Sequence, residues 1–114
     1  MNISLIKPLA IFDIEATGLD ISNDRIVEIA ILKVDPDGTQ TKFLKRINPE
    51  IPIQPFVQQL TGINNKMLVN APKFYQIAKR VLEITDNSIL VAHNSSFDYR
   101  MLKVEFVVDY MHQI

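Results

Sequence analysis

Short apolar runs separated by turn sequences predict strands in the first part of the chain. The run Leu9–Phe12 is apolar throughout and leads into Asp13–Glu15, which predicts a strand buried on both faces. Apolar residues dominate Arg25–Val34, and Thr39–Ile47 alternates in character. The intervening Asp35–Gly38 is a strong turn sequence in which glycine supplies a positive φ. These two stretches therefore predict an antiparallel hairpin.

Helical patterns occupy the middle of the chain. Phe56–Leu60 predicts a helix of one or two turns, which Gly62 would end. Pro72 suits the first position of a helix, and the apolar residues after it follow the i, i+3, i+4, i+7, i+8 spacing of an amphipathic helix. These apolar residues are Phe74, Ile77, Ala78, Val81 and Leu82.

The remainder of the chain predicts one strand followed by one helix. Ser88–Ala92 is a second short apolar run, again typical of a buried strand. The final helix is expected to begin at Ser95 or Ser96 and to run to about Met111. The order β-β-β-α-α-β-α predicts an α/β fold, with an antiparallel three-stranded meander and then a crossover to a strand parallel to the first.

Composition narrows the chemistry that the chain can carry. Its 114 residues suit one domain. Twelve basic and thirteen acidic side chains leave a formal charge of -1, so a polyanionic partner must be held locally, by metal ions or a small basic patch. The chain has no cysteine and two histidines, which excludes thiolate chemistry and disfavours a multi-histidine metal site. No targeting or membrane-spanning segment is visible, so we expect a cytoplasmic location without a membrane partner.

Asp13 and Glu15 are the first candidates for chemistry. Side chains alternate across a strand, so both carboxylates are expected on one face. Two acids at the end of an apolar run repel each other, and a divalent cation would relieve that repulsion. Hard oxygen ligands suit Mg²⁺ or Mn²⁺. The alternative is that both are solvated acids at the end of a strand.

Asp98 is the third candidate carboxylate. It closes the stretch His93–Asp98, where the second apolar run is expected to meet the N-terminus of the last helix. The spacing from Ser95 to Asp98 fits a capping box, in which Asp98 complements the helix dipole. Because parallel strands present their carboxyl ends together, Asp98 is also expected to face the crevice of Asp13 and Glu15. Both roles can hold at once.

Several stretches together resemble the DEDD 3'-5' exonucleases, the polymerase III epsilon-type proofreading family with an RNase H-like fold. Phe12–Leu19 resembles the first motif of that family, and Val91–Asp98 resembles its second. Arg25–Ala30 is similar to the second strand of the family, and Leu60–Ile63 stands at a family-like position. The resemblance runs from about Leu9 to Phe106 and implies a mixed sheet with flanking helices.

The resemblance also implies an activity and roles for individual residues. Asp13, Glu15 and Asp98 would be catalytic carboxylates that bind two divalent ions, Mg²⁺ or Mn²⁺. The implied reaction is two-metal hydrolysis of phosphodiester bonds at the 3' end of single-stranded DNA or RNA, with DNA as the first expectation. A DNA polymerase subunit is the protein partner that the family suggests. The residues implied to contact the terminal nucleotide are Thr17, Gly18, Leu19, Asn94 and Phe97.

The third motif of the family, a histidine followed by an aspartate well after the second motif, has no match in this chain. Asp109 and His112 are the only late candidates, and they stand in the wrong order and about 16–20 Å along a helix from Asp98. His93 suits a structural hydrogen bond better than the role of general base. The last helix is also apolar on nearly every side. We therefore predict an exonuclease domain over residues 1–114 that lacks its C-terminal part, with self-association through residues 101–114.

Two other hypotheses stay open. A chain without the third motif could be a catalytically dead module that binds nucleic-acid ends or docks on a polymerase. The three acids could also be coincidental in a purely structural protein. Glu28 is interpreted as a half-exposed strand residue rather than as part of the site.

Overall fold

The computed structural model describes residues 6–92 and 95–113, and eight elements lie within them. Seven were predicted; the short α2 was not, and it forms because the Asn64 side chain caps it by accepting a hydrogen bond from the Met67 N–H. Within these ranges no helix is long and apolar enough to cross a membrane. The elements are β1 (Leu9–Ala16), β2 (Ile26–Val34), β3 (Gln40–Arg46), α1 (Pro55–Thr61), α2 (Asn65–Leu68), α3 (Phe74–Thr85), β4 (Ile89–Ala92) and α4 (Ser95–Gln113).

The strands form one four-stranded mixed sheet in the order β3-β2-β1-β4. β1 and β3 are antiparallel to β2, and Gly38 takes a φ of 89° in the hairpin turn, as predicted. β4 runs parallel to β1, which confirms the predicted crossover. The register pairs Phe12 with Ala92, so β4 ends directly beside Asp13. This pairing brings the start of α4 to the same end of the sheet as the two acids of β1.

One face of the sheet carries the main core. Residues of β1 on this face pack with α3 and α4. The apolar stripe of α3 differs from the prediction in its last position, because Ile84 is buried whereas Leu82 is 55% exposed. Pro72 is not the first helical residue as predicted, since α3 begins after the N-cap Lys73. The buried residues of β1 here are Ala10, Phe12, Ile14 and Ala16.

The opposite face of the sheet is open in the described part of the chain. Two predictions are therefore wrong: β1 is buried on one face only, with Ile11 36% exposed, and the apolar residues of β4 are largely exposed. The physical reason is position, because β4 is the edge strand and α3 and α4 both lie on the other side. An apolar groove of about 310 Å³ crosses the open face, and Asp13 lies at its border.

A second apolar cluster packs α1 and α2 beside the sheet, with Val27 of β2 at its centre. α1 begins with Pro55 and ends at Gly62, which adopts a left-handed φ of 76° and donates its N–H to the carbonyl of Gln58, as the sequence predicted. Val57 faces the cluster, so the other side of α1 is left at the surface. The remaining buried members of the cluster are Ile53, Ile63 and Leu68.

Candidate functional site

A cleft of about 410 Å³ opens where β1 ends. Three segments form its walls: the end of β1 with the turn after it, the exposed side of α1, and the first turn of α4. Acidic and apolar side chains line it together, which suits a ligand with a charged backbone and an apolar ring. The lining residues are Asp13, Ile14, Glu15, Ala16, Gly18, Leu19, Phe56, Val57, Leu60, Thr61 and Phe97.

Asp13 and Glu15 lie on the same face of β1, as predicted, because the residues between and beside them point into the core. Both are half buried. Within the described residues Asp13 forms no salt bridge. The register places Glu28 of β2 directly opposite Glu15, and the Glu28 Oε2 lies 3.3 Å from the Nε of Arg46. Asp13, Glu15 and Glu28 thus share one face of this part of the sheet, and Arg46 pairs with Glu28.

Asp98 lies in the first turn of α4, directly after Phe97, which lines the cleft. Its side chain is only 1% exposed. The topology therefore brings the helix that carries Asp98 to the end of the sheet that carries Asp13 and Glu15, but the predicted exposure of Asp98 to their crevice is not seen, because Asp98 is not among the residues that line the cleft. Over residues 6–92 and 95–113, however, no three histidine, aspartate or glutamate side chains are grouped so as to hold a metal ion.

The residues predicted to contact a nucleotide fall into two groups. Leu19 is exposed at the rim of the cleft, and Phe97 lines its wall half buried. Thr17 is fully buried, its N–H donates to the Arg25 carbonyl and its carbonyl accepts from the Gln54 N–H, so its predicted contact with the nucleotide stays a prediction. Gly18 also packs tightly, because a Cβ at this position would overlap the side chains of Asp24 and Gln54. Glycine is required here by the close approach of these side chains.

Several residues singled out from the sequence have side chains outside the described part of the chain. His93 and Asn94 fall in the gap between the two described ranges, and the side chains of Ser95, which was predicted to form a capping box with Asp98, and of Asp109 and His112 are likewise outside it. Their predicted roles therefore stay predictions, including that of Asn94 at the nucleotide.

Sequence reasoning missed an apolar pair on α1. Phe56 and Leu60 stand one helical turn apart, and both line the cleft, as Leu19 does. Leu60 is 81% exposed, which is unusual for a leucine on a helix that buries Val57. The available signal was the number of apolar residues in this short helix. Val57 alone is buried against the protein, so the i, i+4 pair Phe56 and Leu60 is left for another contact.

Sequence reasoning also missed a polar network behind the cleft. The Thr17 hydroxyl donates to Asp24 Oδ1 at 2.6 Å and accepts from the Arg25 N–H at 3.0 Å. The other oxygen of Asp24 accepts from the Asp20 N–H at 2.9 Å. Thr17 and Asp24 are both buried. These hydrogen bonds fasten the turn after β1 to the start of β2.

Arg25 extends the network to α4. Its Nε and Nη2 donate to Oε1 and Oε2 of Glu105 at 2.8 and 2.9 Å, and the Ile26 N–H donates to Oε1 at 2.9 Å. Glu105 is 1% exposed. Its hydrogen bonds raise the pKa of the Arg25 guanidinium above the ordinary value. The sequence signal was an acid between the apolar residues Val104 and Phe106 of the last helix, although that signal does not identify Arg25 as its partner.

Comparison with known proteins identifies the family. The model of the RNase T exonuclease family matches residues 10–112. The chain belongs to this exonuclease family. Among curated relatives, it is 39% identical over 100 residues to DNA polymerase III PolC-type of Caldanaerobacter subterraneus subsp. tengcongensis, covering 88% of the chain and 7% of the relative. It is 38% identical over 94 residues to DNA polymerase III subunit epsilon of Treponema pallidum, covering 82% of the chain and 44% of the relative.

A third relative agrees with this family, and a solved structure agrees with the fold. The 3'-5' exonuclease DinG of Staphylococcus epidermidis is 35% identical over 101 residues, covering 89% of the chain and 11% of the relative. The chain thus spans less than half the length of the three relatives. The structure of E. coli exonuclease I with a dT13 oligonucleotide matches with a TM-score of 0.81 at 17% identity, covering 91% of the chain and 24% of that one. This likeness confirms the predicted RNase H-like exonuclease fold.

Proposed function

We propose that the chain is a 3'-5' exonuclease domain that hydrolyses single-stranded nucleic acid from its 3' end, with the cleft as its active site. The observation that carries the proposal is that Asp13 and Glu15 share one face of β1 and line a cleft with apolar walls. Its support also includes membership of the exonuclease family and relatives that are named 3'-5' exonuclease. The prediction that residues 1–114 form a domain lacking its C-terminal part stays a prediction.

Asp13, Glu15 and Asp98 are the residues proposed to bind divalent cations. Carboxylate oxygens are hard ligands that suit Mg²⁺ or Mn²⁺. The crowding of acids on this part of the sheet fits a bound cation, because a cation would relieve their repulsion. Since no closed group of ligands exists within the described ranges, we propose that the site is completed as the cation binds. Bound divalent ions would supply the attacking hydroxide and stabilise the charge on the phosphate.

The apolar wall is proposed to hold the terminal nucleotide. Phe56 and Leu60 on α1, Leu19 in the turn after β1 and Phe97 on α4 all line the cleft. A base inserted between them would bury its faces against apolar side chains, a contact that tolerates every base. The phosphate that follows would then lie toward Asp13 and Glu15. This arrangement would orient the last phosphodiester bond and exclude water from around the base.

The test is digestion of a 5'-labelled single strand of DNA, and of the same sequence in RNA, with Mn²⁺ or Mg²⁺. A ladder shortening from the 3' end is the expected result, and Asp13→Asn should abolish it. Asp37→Asn, at an exposed turn remote from the cleft, is the matched control and should leave the ladder unchanged. Thermal stabilisation by Mn²⁺, measured separately, reports binding without turnover, because an ion that binds the folded state alone raises stability.

The outcomes of this test separate the hypotheses. Binding of the strand without shortening would support a catalytically dead module instead. No strand binding and no Mn²⁺ stabilisation would support a purely structural protein. A polymerase subunit as partner, self-association through residues 101–114 and a cytoplasmic location are further proposals; the first draws on the relatives that are polymerase subunits. Light scattering on a gel-filtration column tests self-association, and a monomer would contradict it.

A further inference from the structure

Asp98 and Glu105 share one side of α4. They stand seven residues apart, which is about two helical turns and about 10 Å along the axis. Both are 1% exposed, although one belongs to the cleft end of the helix and the other to the network behind it. Because α4 is one continuous helix, a contact that fixes Glu105 also fixes the rotation of the helix and its shift along its axis. It therefore fixes the place of the first turn, which carries Asp98.

Apolar packing alone specifies this position weakly. Met101 and Leu102 are buried in the main core, and the ring of Phe106 meets Phe74 edge-on with centroids 5.2 Å apart. Burial itself is non-directional and the edge-on aromatic contact is only one oriented interaction, so these contacts restrict rotation and sliding of the helix less than directed hydrogen bonds do. Glu105 accepts hydrogen bonds from three N–H groups in fixed directions, and a shifted helix would lose them.

The partner of Glu105 is itself fastened to the strand of the cleft acids. The Arg25 N–H donates to the Thr17 hydroxyl at 3.0 Å, and the Thr17 N–H donates to the Arg25 carbonyl at 2.8 Å. Thr17 directly follows β1, and its carbonyl accepts from the Gln54 N–H at 3.0 Å, immediately before α1. One chain of hydrogen bonds thus joins all three walls of the cleft.

We propose that Arg25 and Glu105 are positioning residues of the cleft: they hold the first turn of α4, with Phe97 and Asp98, at a fixed place against β1. Neither residue lines the cleft. The consequence for catalysis rests on the proposed function, whereas the positional claim does not. Residues that orient metal ligands from behind typically change metal affinity by about 10- to 100-fold when they are replaced.

The test compares Glu105→Gln and Arg25→Lys with two controls. Glu83→Gln removes the same charge from an exposed pair with Arg80, and Leu102→Val loosens the apolar packing of α4 without touching the network. In metal-free protein, the backbone resonances of Phe97 and Asp98 should move in the two test variants and stay in place with Glu83→Gln. The Mn²⁺ concentration that gives half of the full thermal stabilisation should rise about tenfold or more in the test variants.

Activity gives a third measurement. In the test variants kcat on a single-stranded oligonucleotide should fall and KM should rise, because both Asp98 and Phe97 of the nucleotide wall are displaced, whereas Glu83→Gln should change neither. Leu102→Val should lower the melting temperature yet keep the wild-type Mn²⁺ midpoint. Arg25→Lys keeps the positive charge, so it carries the comparison if Glu105→Gln fails to fold.

Two results would overturn the proposal. One is unmoved Phe97 and Asp98 resonances in a folded test variant. The other is a Mn²⁺ midpoint that shifts equally in Leu102→Val and in a test variant, which would mean that stability alone is responsible. If the wild-type protein gives no Mn²⁺ response, the proposed function fails, and the resonances of the metal-free variants still decide whether Arg25 and Glu105 position α4.

Discussion

The acids behind the cleft and the acids within it differ in what surrounds them. Asp24 and Glu105 are buried, and hydroxyl, guanidinium and backbone N–H groups donate to their oxygens. Asp13 and Glu15 are half buried on a sheet face that they share with Glu28. Burial with full hydrogen bonding makes the first set necessary for folding, since an unpaired buried charge is costly. The concentration of three acids on one sheet face makes the second set suited to a cation.

Loss of Glu105 is the largest effect that this comparison predicts. Glu105→Ala leaves the Arg25 guanidinium and the Ile26 N–H without their acceptor in a largely buried place. We expect the free energy of unfolding to fall by about 3 kcal/mol or more. Urea denaturation followed by circular dichroism measures it, and Glu83→Ala at the exposed pair should change it by less than about 0.5 kcal/mol. Equal losses in the two variants would contradict the distinction.

The Thr17 hydroxyl should matter next most. Thr17→Val keeps the shape of the side chain but leaves Asp24 Oδ1 and the Arg25 N–H unpaired in the interior. A loss of about 1–3 kcal/mol in unfolding free energy is expected from chemical denaturation. Thr41→Val on β3 is the control, because valine suits a strand and this position is not buried. A loss at Thr17 no larger than at Thr41 would mean that the hydroxyl is dispensable.

Asp13 should behave in the opposite way. Asp13→Asn removes one negative charge from the crowded face, so the free energy of unfolding without metal is expected to stay the same or to rise by up to about 1 kcal/mol. Stabilisation by Mn²⁺ should be lost at the same time. Thermal melts with and without Mn²⁺ measure both effects. A marked destabilisation of metal-free protein would place Asp13 with the structural acids and weaken the comparison.

Most of the secondary structure could be predicted from local sequence patterns. The apolar runs, the turn at Gly38 and the helix ending at Gly62 depend on near neighbours, and their prediction is confirmed. The shared face of Asp13 and Glu15 follows from strand alternation alone, and it is confirmed too. Which face of the sheet the helices cover is a tertiary choice, so the exposure of Ile11 was predicted wrongly.

The polar network could not be predicted for the same reason. Arg25 and Glu105 are separated by 80 residues, and nothing in the local pattern of either states that they meet. Thr17 was expected at the nucleotide through its backbone because of its place in the first motif, and the motif did not reveal that its buried hydroxyl donates to Asp24. A motif identifies which residues stand together at a site. Whether each side chain points into the cleft or into the interior depends on the packing around it.

The smallest predicted effect is on the pH dependence of stability, and it concerns an acid that lies neither in the cleft nor in the network behind it. Asp37, in the fully exposed turn between β2 and β3, accepts a hydrogen bond from the Thr39 N–H at 2.9 Å, which lowers its pKa below 3.8. Because the folded protein holds this carboxylate charged, the contribution to stability is present above the ordinary pKa and is lost as the pH falls through the lowered one. Stability should therefore fall slightly more on acidification below about pH 4 in the wild type than in Asp37→Asn. An NMR titration that finds the Asp37 pKa at or above 3.8 would contradict this.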